Sequence, residues 1–101
     1  MKYYIVGDED AVLGFGMVGV DGRVAETPAE AEAAFNAALE VKDVGIVIIT
    51  ERVADLIRPI VGPYVLSRRF PLVVEIPDRR GPMPGRKALR EMVTEAIGIK
   101  L

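Results

Sequence analysis

The sequence predicts an α/β domain, a parallel sheet of four strands with helices on both faces, and three observations carry that expectation. Val44-Gly45-Ile46-Val47-Ile48-Ile49 is apolar at successive positions, so as a strand it has no polar face and must be covered on both sides, as in parallel sheets. Its β-branched crowding and brevity favour strand over buried helix. Thr27-Pro28-Ala29-Glu30 is a capping box with proline at the first helical position, which places a helix start ahead of that strand. Strand-like and helix-like segments alternate along the chain, the order that builds βα units.

The first strand is Lys2-Tyr3-Tyr4-Ile5-Val6, ended by Gly7. Asp8-Glu9-Asp10 follows, and acids there suit the positive end of a short helix over residues 9–15. Gly14-Phe15-Gly16-Met17-Val18-Gly19 matches G-x-G-x-x-G, but a dinucleotide site needs that pattern between a strand and the helix it opens, whereas here it closes a helix. The glycines read instead as a helix stop, a tight turn and a short edge strand over residues 17–20, with Asp21-Gly22 turning the chain afterwards. From Pro28, Ala31, Ala34, Phe35, Ala38 and Leu39 fall on one helical face rich in small residues, and this helix should end near Val41-Lys42. Thr50 is a candidate N-cap for a helix through Val53, Leu56 and Ile57, which Pro59 and Pro63 interrupt, leaving a second, irregular helix around residues 63–68. Pro71-Leu72-Val73-Val74-Glu75-Ile76-Pro77 is a fourth strand whose flanking prolines suit a sheet edge.

Three regions result: a globular body over residues 1–77, a Pro/Gly linker over 78–85 and a C-terminal amphipathic helix over 86–101. In that last segment Leu89, Met92, Val93, Ala96 and Ile97 repeat the helical spacing, while Arg86, Lys87 and Arg90 crowd the N-terminal end, where cations oppose the helix dipole. So short a helix must gain stability from what it packs against, either the body's own sheet or another chain.

The 101 residues are 50% hydrophobic and 28% charged, enough for one core and no second domain. There is no cysteine and no histidine, which excludes disulfides, thiol nucleophiles and imidazole acid/base chemistry. No apolar run is long enough to span a bilayer and no signal-peptide layout opens the chain, so a soluble, intracellular protein is expected. The net charge of −2 conceals a division: residues 1–50 carry three basic and nine acidic side chains, residues 51–101 ten basic and six acidic. With a net acidic charge and no stacking array, nucleic acid is not an expected partner.

If the first connection runs one way and the rest the other, the strand order is 2-1-3-4, a flavodoxin- or receiver-like arrangement. The switch point then lies near Gly7, Asp8, Thr50 and Glu51, where a ligand would bind. Acids without a nucleophile or a basic clamp make a thin catalytic site, so no catalytic, cofactor-binding or metal-binding residue is expected. The alternative is a small receiver-like signalling or phosphotransfer domain using Asp8 and Asp10 with magnesium, although Ile49-Thr50 closes the central strand where such a domain needs a phosphoacceptor aspartate.

Several stretches together resemble the F subunit of the rotary V-type and archaeal A-type ATPases. They are Gly7-Asp8-Glu9-Asp10 with Leu13-Gly14-Phe15 and Gly19, Ile48-Ile49-Thr50-Glu51, Pro71-Leu72-Val73-Val74-Glu75-Ile76-Pro77, Arg90-Glu91-Met92-Val93, Ala96-Ile97-Gly98 and Lys100-Leu101. Gly16 departs from the pattern, since relatives often carry a longer, frequently basic side chain there. The resemblance implies a non-catalytic central-stalk subunit, cytoplasmic and peripheral to the membrane without insertion. It would pair with the coiled-coil shaft, the D subunit, inside the ring of catalytic A and B subunits. The mobile C-terminal helix of such subunits is linked to regulation of ATPase coupling with ion transport. By position, Leu89, Met92, Val93, Ala96 and Ile97 would face the shaft or the body in alternate states, and Arg86 and Arg90 would meet acidic groups of neighbouring subunits.

Overall fold

A computed structural model of the chain describes residues 1–67, 70–78 and 81. Its elements are β1 (Lys2–Gly7), α1 (Glu9–Gly16), β2 (Asp21–Val24), α2 (Pro28–Glu40), β3 (Val44–Thr50), α3 (Glu51–Leu56), α4 (Arg58–Ser67) and β4 (Leu72–Ile76). The strands form one sheet in the order β2-β1-β3-β4, and each pairing is parallel. This is the expected fold. The first crossover runs outward from β1 to β2 and the later ones run the other way, so right-handedness puts α1 on one face and α2, α3 and α4 on the other.

The core lies between the sheet and the three-helix side. Tyr4 and Val6 of β1, Val47 and Ile49 of β3 and Val73 of β4 meet Ala31, Ala34, Phe35 and Ala38 of α2, Val53 and Ala54 of α3, and Ile57 and Val61 beyond it. The alternate strand positions face the α1 side. There Ile5 is fully buried, while Tyr3, Leu72 and Val74 are exposed. Helix α2 follows its expected register: the four residues named above are buried and Leu39 packs partly against them. Its start is held by Thr27 Oγ1, which accepts from Glu30 N at 3.2 Å, and by Glu30 Oε1, which accepts from Glu26 N at 3.0 Å. Thr27→Ala removes the cap and is expected to cost about 1 kcal/mol, read as a lower midpoint in urea unfolding with an unchanged slope.

Three local expectations are corrected. Residues 17–19 form a turn, and the edge strand lies at Asp21–Val24. Gly19, at φ 89°, ends α1 in a Schellman-type closure in which Val20 N donates to Phe15 O at 3.0 Å and Gly19 N to Gly16 O at 3.0 Å. Gly22 stands in the strand opposite Ile5 because a Cβ there would lie 2.5 Å from the Ile5 carbonyl oxygen. The pair Asp21-Gly22 thus marks close strand approach, not a turn. Second, α4 begins at Arg58 and runs through Pro63. Pro59 sits in the first turn, where its missing amide proton is not needed, and the interior bond lost at Pro63 is offset by burial of Val61 and an edge-on Phe35–Tyr64 contact at 5.4 Å. The expected helix end at Arg68 lies outside the described residues. Third, Asp8 and Thr50 occupy N-cap positions with extended backbones, yet neither side chain makes a capping hydrogen bond.

Candidate functional site

The sheet order places the switch point between the C-terminal ends of β1 and β3, and a cleft of about 460 Å³ opens there. It is lined by Asp8, Glu9 and Asp10 from the start of α1, Ala25 and Glu26 after β2, Thr50, Arg52, Val53 and Leu56 at the β3–α3 junction, and Asp78 after β4. Gly7, Asp8, Thr50 and Glu51 were the expected neighbourhood, and Asp8 and Thr50 do line the cleft. Asp8 Oδ1 and Thr50 Oγ1 are buried without a hydrogen-bond partner among the described residues.

Among the described residues one cation lines this cleft, and the sequence did not reveal its role. Arg52 Nε lies 2.9 Å from Asp78 Oδ2, a carboxylate whose side chain is only 6% exposed. The contact is a close ion pair, not an aligned hydrogen bond, since Nε meets no acceptor at bonding geometry. It ties α3 to the chain just beyond β4, and Gly81 N donates to Asp78 O at 2.9 Å in a turn with Gly81 at φ 84°. The expected linker over 78–85 therefore opens on an anchored residue. Arg52→Ala is expected to destabilise the fold by up to about 1 kcal/mol, since the pair's arginine is more than a third exposed and solvent screens it, and to hasten tryptic nicking after Arg79 or Arg80. Timed digestion followed by mass spectrometry reads both nicks.

A second clasp holds β4 to the helical side. Arg58 donates to Glu75 Oε2 at 2.6 Å and Oε1 at 3.0 Å, and also bonds Asp55. These bonds, those that Glu75 accepts foremost, raise the guanidinium pKa above its ordinary range. With Arg58 36% exposed, solvent screening keeps the gain modest.

Chemically the cleft offers carboxylates, a threonine hydroxyl and one paired arginine. Among the described residues no three Asp or Glu side chains converge to hold a metal ion, and no described helix is long and apolar enough to cross a membrane. The sequence-derived contact residues Arg86, Leu89, Arg90, Met92, Val93, Ala96 and Ile97 all lie outside the described residues.

The model of one protein family, the ATP synthase (F/14-kDa) subunit, matches residues 4–93. The chain belongs to that family. Similarity to individual members is spread over the full length. The chain is 40% identical over 106 residues to the A-type ATP synthase F subunit of Thermococcus kodakarensis, covering 100% of this chain and 98% of that relative. It is 35% identical to the F subunit of Methanothermobacter thermautotrophicus, with 96% and 92% covered. Against that of Methanocaldococcus jannaschii it is 30% identical, with 100% and 99% covered. The resemblance read from residue pattern is thereby borne out.

Proposed function

We propose that this chain is a non-catalytic central-stalk subunit of an A-type rotary ATP synthase. In this reading it binds the coiled-coil D subunit of the shaft within the ring of A and B subunits and helps couple nucleotide turnover to ion transport. The observation that supports the reading is the end-to-end match to relatives named as the F subunit of A-type ATP synthases.

The C-terminal segment is the contact element. Leu89, Met92, Val93, Ala96 and Ile97 form its apolar stripe, and Arg86 and Arg90 add charges suited to an acidic neighbour. The Arg52–Asp78 pair and the Asp78–Gly81 hydrogen bond hold the described chain that precedes this segment in sequence. Co-expression with the coiled-coil subunit is the test. A stable one-to-one complex in size-exclusion chromatography is expected, and two separate peaks would overturn the reading. Incubation with a phosphodonor and magnesium is expected to leave Asp8 and Asp10 unlabelled.

A further inference from the structure

Two side chains at the switch point forgo the role that their positions offer. Asp8 and Thr50 stand at the N-caps of α1 and α3 with extended backbones, yet neither caps its helix. A capping oxygen stabilises a helix start, so turning both away costs stability that something else must offset. Asp8 Oδ1 and Thr50 Oγ1 are instead buried, without a hydrogen-bond partner among the described residues, and Thr50 is fully buried as a residue. Both residues line the cleft. They are also neighbours. Val6 of β1 pairs with Ile49 of β3, so Gly7 and Thr50 end their strands side by side and Asp8 follows at once. A Cβ at Gly7 would lie 3.4 Å from Thr50 Oγ1, which sets the hydroxyl against the backbone that leads into Asp8.

The surrounding charge chooses the ligand. Among the described residues Asp8, Glu9, Asp10, Glu26 and Asp78 line the cleft against Arg52, and Arg52 is paired with Asp78. The N-terminus of α1 opposes this field with only about half an elementary charge, so a cation is favoured. A water molecule satisfies a threonine hydroxyl, but a buried carboxylate oxygen also needs its charge balanced. A compact ion reaches two buried oxygens at once, whereas an ammonium or guanidinium must bring a long side chain with it. Among the described residues no three Asp or Glu side chains converge, which argues against the many-oxygen cage that calcium takes. Magnesium needs only one or two carboxylates and keeps several of its waters, and a cleft of about 460 Å³ has room for them at about 30 Å³ each.

We infer that the cleft between β1 and β3 binds a hydrated divalent cation of the magnesium class, with Asp8 Oδ1 and Thr50 Oγ1 as its ligands from the protein. The ion ties the start of α1 to the end of β3, and the acids around the cleft attract it. Its role is structural, with no phosphoryl transfer attached. The inference departs from the expectation that no residue here holds a metal, and it goes beyond the subunit reading without resting on it.

The test follows the thermal midpoint of the full chain as magnesium chloride is added, against sodium chloride at matched ionic strength. A ligand that binds only the folded state raises the midpoint as its concentration grows, so a rise with magnesium beyond the sodium control is expected. Manganese takes the same oxygen ligands and is expected to broaden amide signals first at residues 7–10 and 50–52. Thr50→Val removes the hydroxyl and Asp8→Asn the charge, each with little change of shape. Outer-shell groups alone are worth about 10–100-fold in metal affinity, so each variant is expected to weaken magnesium binding at least about tenfold, with a metal-free midpoint no lower than wild type. No rise beyond the sodium control would overturn the inference, and it is the result expected if water or a basic side chain of this chain fills the place. Broadening spread evenly over the exposed acids, or wild-type affinity in both variants, would overturn it as well. The wild-type titration decides by itself should either variant fail to fold, and none of these results touches the subunit reading.

Discussion

Phe35→Ala is expected to lower the stability of the domain by about 3–5 kcal/mol, the range for emptying an aromatic site in a packed core. Phe35 is the largest of the fully buried side chains. It stands on the α2 face between Ala31, Ala34 and Ala38, which are too small to close around a void. Its ring also meets Tyr64 of α4 edge-on at 76°, so the truncation loosens the contact that steadies a helix already short of one bond at Pro63. Chemical denaturation checks the magnitude. Small domains hold only about 5–15 kcal/mol in all, so the variant should unfold at far lower denaturant and lose amide protection in α4 as well as α2. A loss confined to α2 would contradict the coupling described here.

Gly22→Ala is the second. A single methyl group would lie 2.3 Å from Ile5 Cγ2 and 2.5 Å from the Ile5 carbonyl oxygen. The side chain could rotate away, but the backbone oxygen cannot, so β2 must shift off β1. Overpacking of this kind costs about 1–3 kcal/mol. Because all four residues of β2 are exposed, the other three strands should stay folded while Tyr4 to Gly7 lose protection along their outer edge. Hydrogen exchange read residue by residue distinguishes that local loss from global unfolding.

The same two sites show what the sequence could and could not reveal. Phe35 was legible because Thr27, Pro28 and Glu30 set the helix start and the apolar positions then fall in register from Ala31 onward. β3 was legible to the residue, since six consecutive apolar positions admit few other readings. β2 was not, because Asp-Gly-Arg-Val on an exposed edge carries no alternation and Gly22 imitates a turn signal. Its place is set by fit against Ile5, a contact between segments far apart in the chain. The Arg52–Asp78 pair was hidden for the same reason: α3 and the end of β4 meet only once the parallel sheet has formed. Pro63 misled in the other direction, since a proline that local rules treat as a break is carried by packing around Val61 and Tyr64. For the cleft, the expected strand order led to the switch point between β1 and β3, where Asp8 and Thr50 line it.

The proposed role is that of a subunit that works by binding within a larger machine. Calorimetric titration of the full chain with the coiled-coil shaft subunit, for wild type and for Met92→Asp with Val93→Asp, tests it most directly. Saturable one-to-one binding is predicted, weakened in the variant by about 2 kcal/mol or more, close to thirtyfold in affinity. Equal affinity for both proteins, or no heat of binding for the wild type, would contradict it.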